Sequence, residues 1–425
     1  MSANPAAGLE EARALDAADP LSVFRVRFVH PAEADGRVLT YLCGHSLGLA
    51  PGGARVSVTH EIERWQTLGV LGHEQGDPDW INFAEMLRGP LAYLAGAQPD
   101  EVIAMNSLSI NLHLLLATFY RPRSDRRAIL IEAGAFSSDR HVVASQIALH
   151  GGDPQRDLIE LAPRPGQDLL SMQEIEVCIA RESRRLALVL WPGVQFRTGQ
   201  SFDVARITRA AHAAGAVAGF DLAHAIGNVP LALHESHADF AAWCSYKYLN
   251  GGPGAVGGAF IHERHLRSAP AHLAGWWGHE LATRFEMPSG FVPANGAAAW
   301  AISNPPIFSS APLRASLPMF QEAGMPALRA RSQRLTAYLE SRLRSNAPDA
   351  VSIVSPTEPD ARGCQLSLRL HPKRITPRQA FDRLRSSGVV ADWRAPDIIR
   401  VAPVPLYNSY EDAWRCAQNL AAALG

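Results

Sequence analysis

One lysine and one aspartate stand where they could act together on an amino-acid substrate. Lys247 lies in the segment 244–252, directly after the apolar run 238–243. Asp221 lies at the end of another apolar run, 216–221. An amine can act as a nucleophile and a base, and a buried carboxylate can hold a neighbouring nitrogen in its protonated form. The chemistry to consider is therefore covalent catalysis by an amine that a carboxylate supports.

The neighbours of the lysine favour this chemistry. Trp243, Tyr246 and Tyr248 give it a partly desolvated setting, which lowers the pKa of an ammonium group. A lone lysine is usually a surface charge, and a lone Asp221 could be a helix cap. Together, a strand ending in Asp and a strand ending in Ser-x-Lys predict an enzyme that holds pyridoxal phosphate (PLP) on Lys247, with Asp221 at the pyridine nitrogen. His224 could lie over the cofactor or bond Asp221.

Two segments could bind the phosphate. Residues 106–109 and 136–139 each lie between a strand-like and a helix-like stretch, so that backbone N–H groups at a helix start can hold an anion. In the second segment, Phe136 could stack on the pyridine ring, while Ser137 and Ser138 could donate hydrogen bonds. Either segment alone would be read as helix capping.

Two further segments match ligand-binding motifs in their residue letters, but the surrounding sequence does not support those ligands. Segment 252–257 matches G-x-G-x-x-G, but a strand-like stretch follows where a dinucleotide site needs a helix. The pairs His234/His237 and His262/His265 have H-x-x-H spacing without a third ligand at a recognisable distance. Surface histidines are favoured and no metal is predicted, although a zinc site stays an alternative.

Composition narrows the partners and the compartment. A net charge of −1 over 425 residues gives no electrostatic case for nucleic acid or an anionic membrane. No apolar run approaches the ~20 residues that span a bilayer. Five scattered cysteines without a CxxC pair, and a start without a secretory pattern, favour a reducing cytoplasm.

The elements predict an α/β protein. From about residue 85, short apolar strands alternate with helices, which indicates a large PLP-binding domain with a mainly parallel sheet wrapped by helices. After about residue 310 the pattern predicts one long helix, 312–345, and a smaller α+β C-terminal domain. The predicted limits are an N-terminal arm at 1–60, the large domain at 61–310 and the small domain at 311–425. Residues 54–71 predict an amphipathic helix.

Several segments together resemble the kynureninase family, whose members are PLP enzymes of the aspartate-aminotransferase (type I) fold. The resemblance runs from about residue 40 to the C-terminus. It rests on the segments 44–49, 110–116, 136–139, 219–228, 243–250, 275–280, 302–306 and 400–408.

The resemblance implies hydrolysis of L-kynurenine or 3-hydroxy-L-kynurenine to anthranilate or 3-hydroxyanthranilate and L-alanine. It implies a homodimer with active sites built across the interface. It also assigns roles. The cofactor contacts are Leu108, Ser109, Phe136, Ser137, Ser138, Asp139, Asp221, His224, Tyr246, Lys247, Trp276 and Asn304. The catalytic residues are Lys247, Tyr246 and Asp221, and the substrate contacts are Ser46, His73, Asn304 and Arg400.

Three departures from the family pattern concern the substrate side. The family usually has Pro at Ser137, Asn at His45 and Ser at Pro192. Polar groups at His73 and Asn304 favour a ring-hydroxylated or otherwise substituted kynurenine. Lys247 beside Tyr246 would favour the phenolate, so that the donor of the final proton stays open between Tyr246, the lysine and a water. The alternatives are another PLP enzyme of this fold, such as a cysteine desulfurase using Cys364 or a β-lyase, and a non-enzymatic binding protein.

Overall fold

The computed structural model describes residues 5–268 and 270–425; the first four residues, where the predicted arm begins, and residue 269 lie outside the described residues. Its strands, in chain order, are β1 Phe28–Val29, β2 Thr40–Tyr41, β3 Ala50–Pro51, β4 Val102–Ala104, β5 Ala128–Glu132, β6 Leu158–Leu161, β7 Leu186–Pro192, β8 Val217–Asp221, β9 Phe240–Trp243, β10 Gly258–Ile261, β11 Val351–Ile353, β12 Leu366–Leu370, β13 Val389–Val390, β14 Asp392–Arg394 and β15 Ile398–Val401.

The α-helices are α1 Pro5–Ala18, α2 Ala54–Leu68, α3 Glu85–Ala95, α4 Leu108–Phe119, α5 Ser137–Leu149, α6 Pro154–Asp157, α7 Met172–Glu182, α8 Val204–Ala213, α9 Leu233–Ser236, α10 Glu263–Ser268, α11 Leu281–Arg284, α12 Ile307–Ser310, α13 Leu313–Ala323, α14 Met325–Asn346, α15 Pro377–Ser386 and α16 Tyr410–Leu424. No helix in these described ranges is long and apolar enough to cross a membrane.

Seven strands form the central sheet, in the order β4-β10-β9-β8-β7-β5-β6. β10 runs antiparallel to both of its neighbours, and the other pairings are parallel. Strands that are covered on both faces need apolar side chains throughout, and β5, β9 and β10 are buried along their whole length. The predicted large domain with a mainly parallel sheet is confirmed, with one antiparallel strand inside it.

A second sheet follows the central sheet along the chain. β11, β12, β15 and β14 form an antiparallel sheet, as expected for a smaller α+β unit. Its apolar face packs with α14 and α16 in a separate core that includes Leu335, Ile399 and Leu420. α1 contributes Ala12 to this core, so part of the N-terminal arm packs on the C-terminal region. The exact domain limits stay a prediction.

The single helix predicted at 312–345 is wrong, because Gly324 divides it. Its φ of 76° ends α13, and α14 begins at the next residue. Helical periodicity continues through the break, so the apolar pattern alone did not reveal it.

The helix predicted at 54–71 forms as α2. Its buried face is the one that carries Glu61 and Arg64, and not the apolar face. Glu61 is fully buried and accepts hydrogen bonds from Trp80, Arg64 and Arg314. The apolar Trp65 is 61% exposed. A hydrogen-bonded polar network therefore lies on the buried face of α2. The apolar strip of the helix is exposed in the single chain.

Candidate active site

The fold brings Asp221 and Lys247 to the same edge of the central sheet. Asp221 is the last residue of β8, and Lys247 follows the end of β9. β8 and β9 pair in parallel, with Asp221 opposite Ala242. Because the carboxyl ends of parallel strands meet at one edge, both side chains line one cavity.

Lys247 lies in a nearly closed, partly aromatic setting. The residue is 8% exposed, and its Nζ lies 5.7 Å from the ring centroid of Phe136 and 5.7 Å from that of Tyr246. The nearby backbone leaves little room, since a Cβ on Gly48 would stand 2.2 Å from the carbonyl oxygen of Lys247. The amine is thus held in place and screened from bulk water.

Three buried carboxyl groups share the cavity. Asp221 accepts a 2.7 Å hydrogen bond from the Ala223 N–H. Burial, and then the nearby Asp221, raise the pKa of Asp139 well above its ordinary range. Burial also raises the pKa of Glu132 to about 8. Lys247 opposes this rise for Asp139. The cavity thus holds three carboxyl groups beside one lysine, which suits a cationic ring nitrogen.

The sequence did not indicate Glu132 as a site residue. It ends β5 and accepts a 3.3 Å hydrogen bond from Gln195 Nε2. The signal that could have found it is a carboxylate at the end of a fully apolar strand, in the same sheet as the strand that ends in Asp221.

Two helix starts face each other across the cavity. Ser109, in the first turn of α4, lies 2.6 Å from Ser138 in the first turn of α5, measured between their Oγ atoms. Leu108 and Phe136 also line the cavity. Ser137 is exposed and is absent from the lining. The N–H groups and hydroxyls at this end form a place for an anion.

The surroundings of Tyr246 favour the protonated form of its phenol. Burial is the largest cause that raises its pKa well above the ordinary value, and Cys244 adds to the effect. The expectation that Lys247 would favour the phenolate stays a prediction, and the raised pKa of Tyr246 argues against it. A protonated phenol is able to donate a proton.

Arg400 and Ser46 meet behind Phe196, which lines the cavity. Arg400 is 1% exposed, although an end strand could have left it in solvent. It donates to the Phe196 carbonyl at 2.6 Å, to Ser46 Oγ at 3.2 Å and to Asp392. The Ser46 hydroxyl donates to the same carboxylate at 2.5 Å. Asp392, which the sequence did not indicate, is the present partner of this cation.

Two buried histidines lie in the same region. His45 is fully buried, and neither ring nitrogen has a hydrogen-bond partner. His224 lines the cavity, and its Nδ1 is also unpaired. Burial, followed by nearby cations, lowers the pKa of both imidazoles well below the ordinary value. Both rings are therefore neutral and free to accept or donate one hydrogen bond.

Three predicted contacts lie elsewhere in the single chain. Asn304 lines a separate cavity with Arg284 and Trp277. Trp276 is 45% exposed and donates to the Arg284 carbonyl at 3.0 Å. His73 bonds the Val70 carbonyl and packs edge-on against Trp80. None of the three lines the Lys247 cavity.

The residues of the Lys247 cavity fit PLP. An amine, a carboxylate for the pyridine nitrogen and an aromatic ring for the pyridine face converge with the paired serines at one end. The unpaired Nδ1 of buried His224 is a polar atom that lacks a partner until a ligand supplies one.

Comparison with solved structures first defines the class. A complex of the cystine C–S lyase C-DES with cysteine persulfide has a TM-score of 0.77 at 19% identity, and covers 90% of this chain and 97% of its own. A cysteine desulfurase from Escherichia coli has a TM-score of 0.75 at 18% identity, over 95% and 98%. Another C-DES structure carries glycine covalently linked to the PLP cofactor. The fold is that of type I PLP enzymes.

Sequence comparison then gives the family. The family model "Kynureninase C-terminal domain" matches residues 328–420. The kynureninase of Xanthomonas oryzae pv. oryzae (strain PXO99A) is 56% identical over 401 residues, 94% of this chain and 95% of that protein. That of Xanthomonas campestris pv. campestris (strain B100) is 54% identical over 409 residues, 96% of each. The chain belongs to the kynureninase family.

Proposed function

We propose that this protein is a kynureninase, a hydrolase acting on a carbon–carbon bond next to a ketone. Its substrate is L-kynurenine, 3-hydroxy-L-kynurenine or a ring-substituted form, and its products are the matching anthranilate and L-alanine. The observation that carries this proposal is the convergence of Lys247 and Asp221 on one buried cavity, in a chain 56% identical to a kynureninase over 94% of its length.

PLP is the cofactor, and Lys247 is the residue that holds it covalently. When bound, PLP supplies an electron sink for the pair left at carbon when a substrate bond breaks. Asp221 keeps the ring nitrogen protonated, and the high pKa of Asp139 and Glu132 limits the negative charge that accompanies it. Ser109, Ser138 and the starts of α4 and α5 hold the phosphate.

Lys247 and Tyr246 divide the proton transfers. Once the substrate amine has taken its place, Lys247 Nζ is free to remove the α-proton. Water adds to the γ-carbonyl and the Cβ–Cγ bond breaks. The Tyr246 phenol then supplies the proton to Cβ, because its raised pKa keeps it protonated. One water is consumed, in keeping with a hydrolase.

Arg400 orients the substrate through its carboxylate. It is a buried guanidinium, and its Nε has no partner in the described structure. A substrate carboxylate would reach it beside Ser46 and would share or replace the contact with Asp392. Phe196 lies between this group and the cofactor cavity.

The active unit is a homodimer with shared sites. Two observations support this. Asn304, Trp276 and His73 do not reach the Lys247 cavity of their own chain. An exposed apolar strip also remains on α2 and its surroundings, where Trp65 and Phe308 pack at 6.1 Å between ring centroids. A second copy would cover the strip and bring the three side chains to its partner's site.

The cysteine desulfurase alternative lacks a suitable thiol. Cys364 is fully buried, and burial raises its pKa to about 12. A desulfurase needs an accessible thiolate on a mobile segment, whereas Cys364 lies two residues before the start of β12 and its N–H donates to Asn228. All five cysteines are unpaired, as expected for a cytoplasmic enzyme.

The decisive experiment is a substrate panel. Purified protein with PLP should convert kynurenine, 3-hydroxykynurenine or ring-methylated forms, followed by the fluorescence of the released anthranilate. Lys247→Ala should abolish both turnover and the visible absorbance band that appears when PLP binds. Absence of release from every member of the panel, or sulfide release from cysteine, would refute the proposal.

A further inference from the structure

The two His-x-x-His pairs, predicted to be surface histidines, meet at the edge of the central sheet opposite Lys247. Glu101 directly precedes β4, and His262 directly follows β10. These strands are antiparallel neighbours, so the two residues lie at the same edge. His234, from α9, joins them. The surface prediction is wrong for His262, which is 3% exposed, and Glu101 is fully buried.

The three side chains form what we call the edge cluster: Glu101, His234 and His262. His234 Nδ1 lies 3.0 Å from Glu101 Oε1, and His262 Nδ1 lies 3.8 Å from the same oxygen. All three ligand atoms lie within 4.8 Å of one another. Tetrahedral zinc with bonds of ~2.0–2.1 Å separates its ligand atoms by about 3.3 Å, which the two measured distances bracket.

Hydrogen bonds already orient the cluster from outside. His262 Nε2 lies 3.2 Å from the His234 carbonyl, and an N–H there leaves a lone pair on Nδ1, the nitrogen that is 3.8 Å from Glu101 Oε1. Without a metal, this Nδ1 accepts a 3.2 Å hydrogen bond from the Arg264 N–H. Glu101 accepts 2.8 Å bonds from the N–H groups of Gln98 and Glu263. Metal-bound imidazoles and carboxylates commonly have such outer partners.

Charge in the cluster also suits a cation. Glu101 is the largest cause that raises the pKa of His234, and Glu235 and Glu263 act in the same direction. Burial lowers the pKa of His262, so its lone pair stays available at neutral pH. Arg264 is the opposing cation, and His237 Nδ1 lies 3.3 Å from His262 Nε2. A metal would take the place of the His234 proton.

We propose that Glu101, His234 and His262 bind one divalent transition-metal ion, with Zn²⁺ the best match to two imidazole nitrogens and one carboxylate. The ion would tie α9 to the β4–β10 pair. Three protein ligands leave a fourth position for water, and the site is separate from the Lys247 cavity. The inference is independent of the proposed function, because it concerns the other edge of the sheet.

Zinc binding by the PLP-loaded protein tests this directly. After dialysis against ZnCl₂ and then metal-free buffer, elemental analysis should find one zinc per chain in the wild type and none in His234→Ala. His212→Ala is the matched control, because His212 bonds only one carboxylate, Asp239, at 2.8 Å on the same edge. It should keep the zinc. Equal zinc in the wild type and His234→Ala would overturn the proposal.

Thermal unfolding separates a metal site from a simple ion pair. Zinc should raise the Tm of the wild type and of His212→Ala, but not that of His234→Ala. The rise should shrink as the pH falls, because protons compete for His234. If His234→Ala is merely less stable and zinc changes no Tm, the Glu101–His234 contact is only an ion pair and the proposal fails.

Cobalt gives a readout that needs no variant. Co²⁺ added to the wild type should give the visible d–d absorption of a four-coordinate ion, without a thiolate charge-transfer band. That band would place the ion at Cys43, which lies with His45 and Asp392 in a second group of possible ligands. A thiolate band, or no d–d absorption, would contradict the assignment to the edge cluster.

Discussion

At the scale of single residues, the cavity is organised by carboxyl groups that cannot all be charged. Asp221, which we propose to face the ring nitrogen, lines the cavity together with Asp139 and Glu132. Since burial penalises each charge and the groups repel one another, the pKa of both Asp139 and Glu132 rises. Burial and mutual repulsion thus favour the protonated forms of Asp139 and Glu132.

Glu132→Gln should flatten the pH dependence of stability in the cofactor-free protein. The pKa of Glu132 is about 8 in the fold against an ordinary 4.5. The unfolded chain therefore loses this proton first, and stability falls as the pH rises from about 4.5 to 8. The slope from this group is at most about 1.4 kcal/mol per pH unit. Tm measured against pH should show it in the wild type and not in the variant; parallel curves would contradict the assignment.

Asp392→Ala should destabilise the fold by about 3 kcal/mol, because it leaves the buried Arg400 without its carboxylate. Asp168→Ala is the control. Its partner Arg369 is 29% exposed and keeps Asp397 at 3.2 Å, so the loss should stay within about 1 kcal/mol. Urea unfolding of the two variants checks the difference. Equal losses would mean that Asp392 does not compensate a buried charge.

At the scale of elements, one glycine decides where α13 ends and α14 begins. Gly324 has φ 76° and ψ 130°, a conformation that side chains with a Cβ rarely adopt. No other segment crowds Gly324, since a Cβ at this position would meet only Pro326, at 4.0 Å. Its requirement is therefore conformational rather than steric.

Gly324→Ala should cost about 1–3 kcal/mol through backbone strain alone. Gly290→Ala is the matched control, because that glycine has open space and no positive φ, and its change should stay within about 0.5 kcal/mol. Chemical denaturation measures both. If Gly324→Ala were neutral, the two helices would be free to join as the single helix that the sequence predicts.

At the scale of the whole molecule, the proposed homodimer would complete the site with residues from two chains. Lys247 lines one cavity and Asn304 another in the same chain. Outside these cavities, the exposed Val56, Trp65 and Phe308 mark an apolar surface that a second copy would cover. If the proposed site is shared in this way, activity requires the assembled dimer.

Mixing two inactive variants tests the shared site. Lys247→Ala and Asn304→Ala dimers should each lack activity, but a mixed dimer has one site with both native residues. Random exchange of subunits in an equal mixture of the two variants should restore about a quarter of the wild-type activity. The kynurenine assay after mixing measures this. No recovery, despite subunit exchange, would place both residues in the same site of one chain.

Much of the site could be predicted because its residues end regular elements. Asp221 ends an apolar strand and Lys247 follows another. Ser109 and Ser138 lie where helices begin. The local sequence pattern therefore predicted the position of each residue. Asp392 was missed because nothing beside it in the chain shows what it faces. Glu132 ends an apolar strand as Asp221 does, so a local signal was present, but only the fold shows that the two strand ends line one cavity. The inward face of α2 was missed because Glu61 is stabilised by Trp80 and Arg314, which are distant in sequence.

The sequence by itself determined the α/β class, the lysine–aspartate pair and the family, because strand patterns and motifs are local and survive in one dimension. Only the tertiary structure decided which charges are neutralised and which groups meet. It paired Arg400 with Asp392, raised the pKa of Tyr246 through burial and gathered Glu101, His234 and His262 at one edge. Burial and through-space distance set these properties, and neither is written in the spacing of residues along a chain.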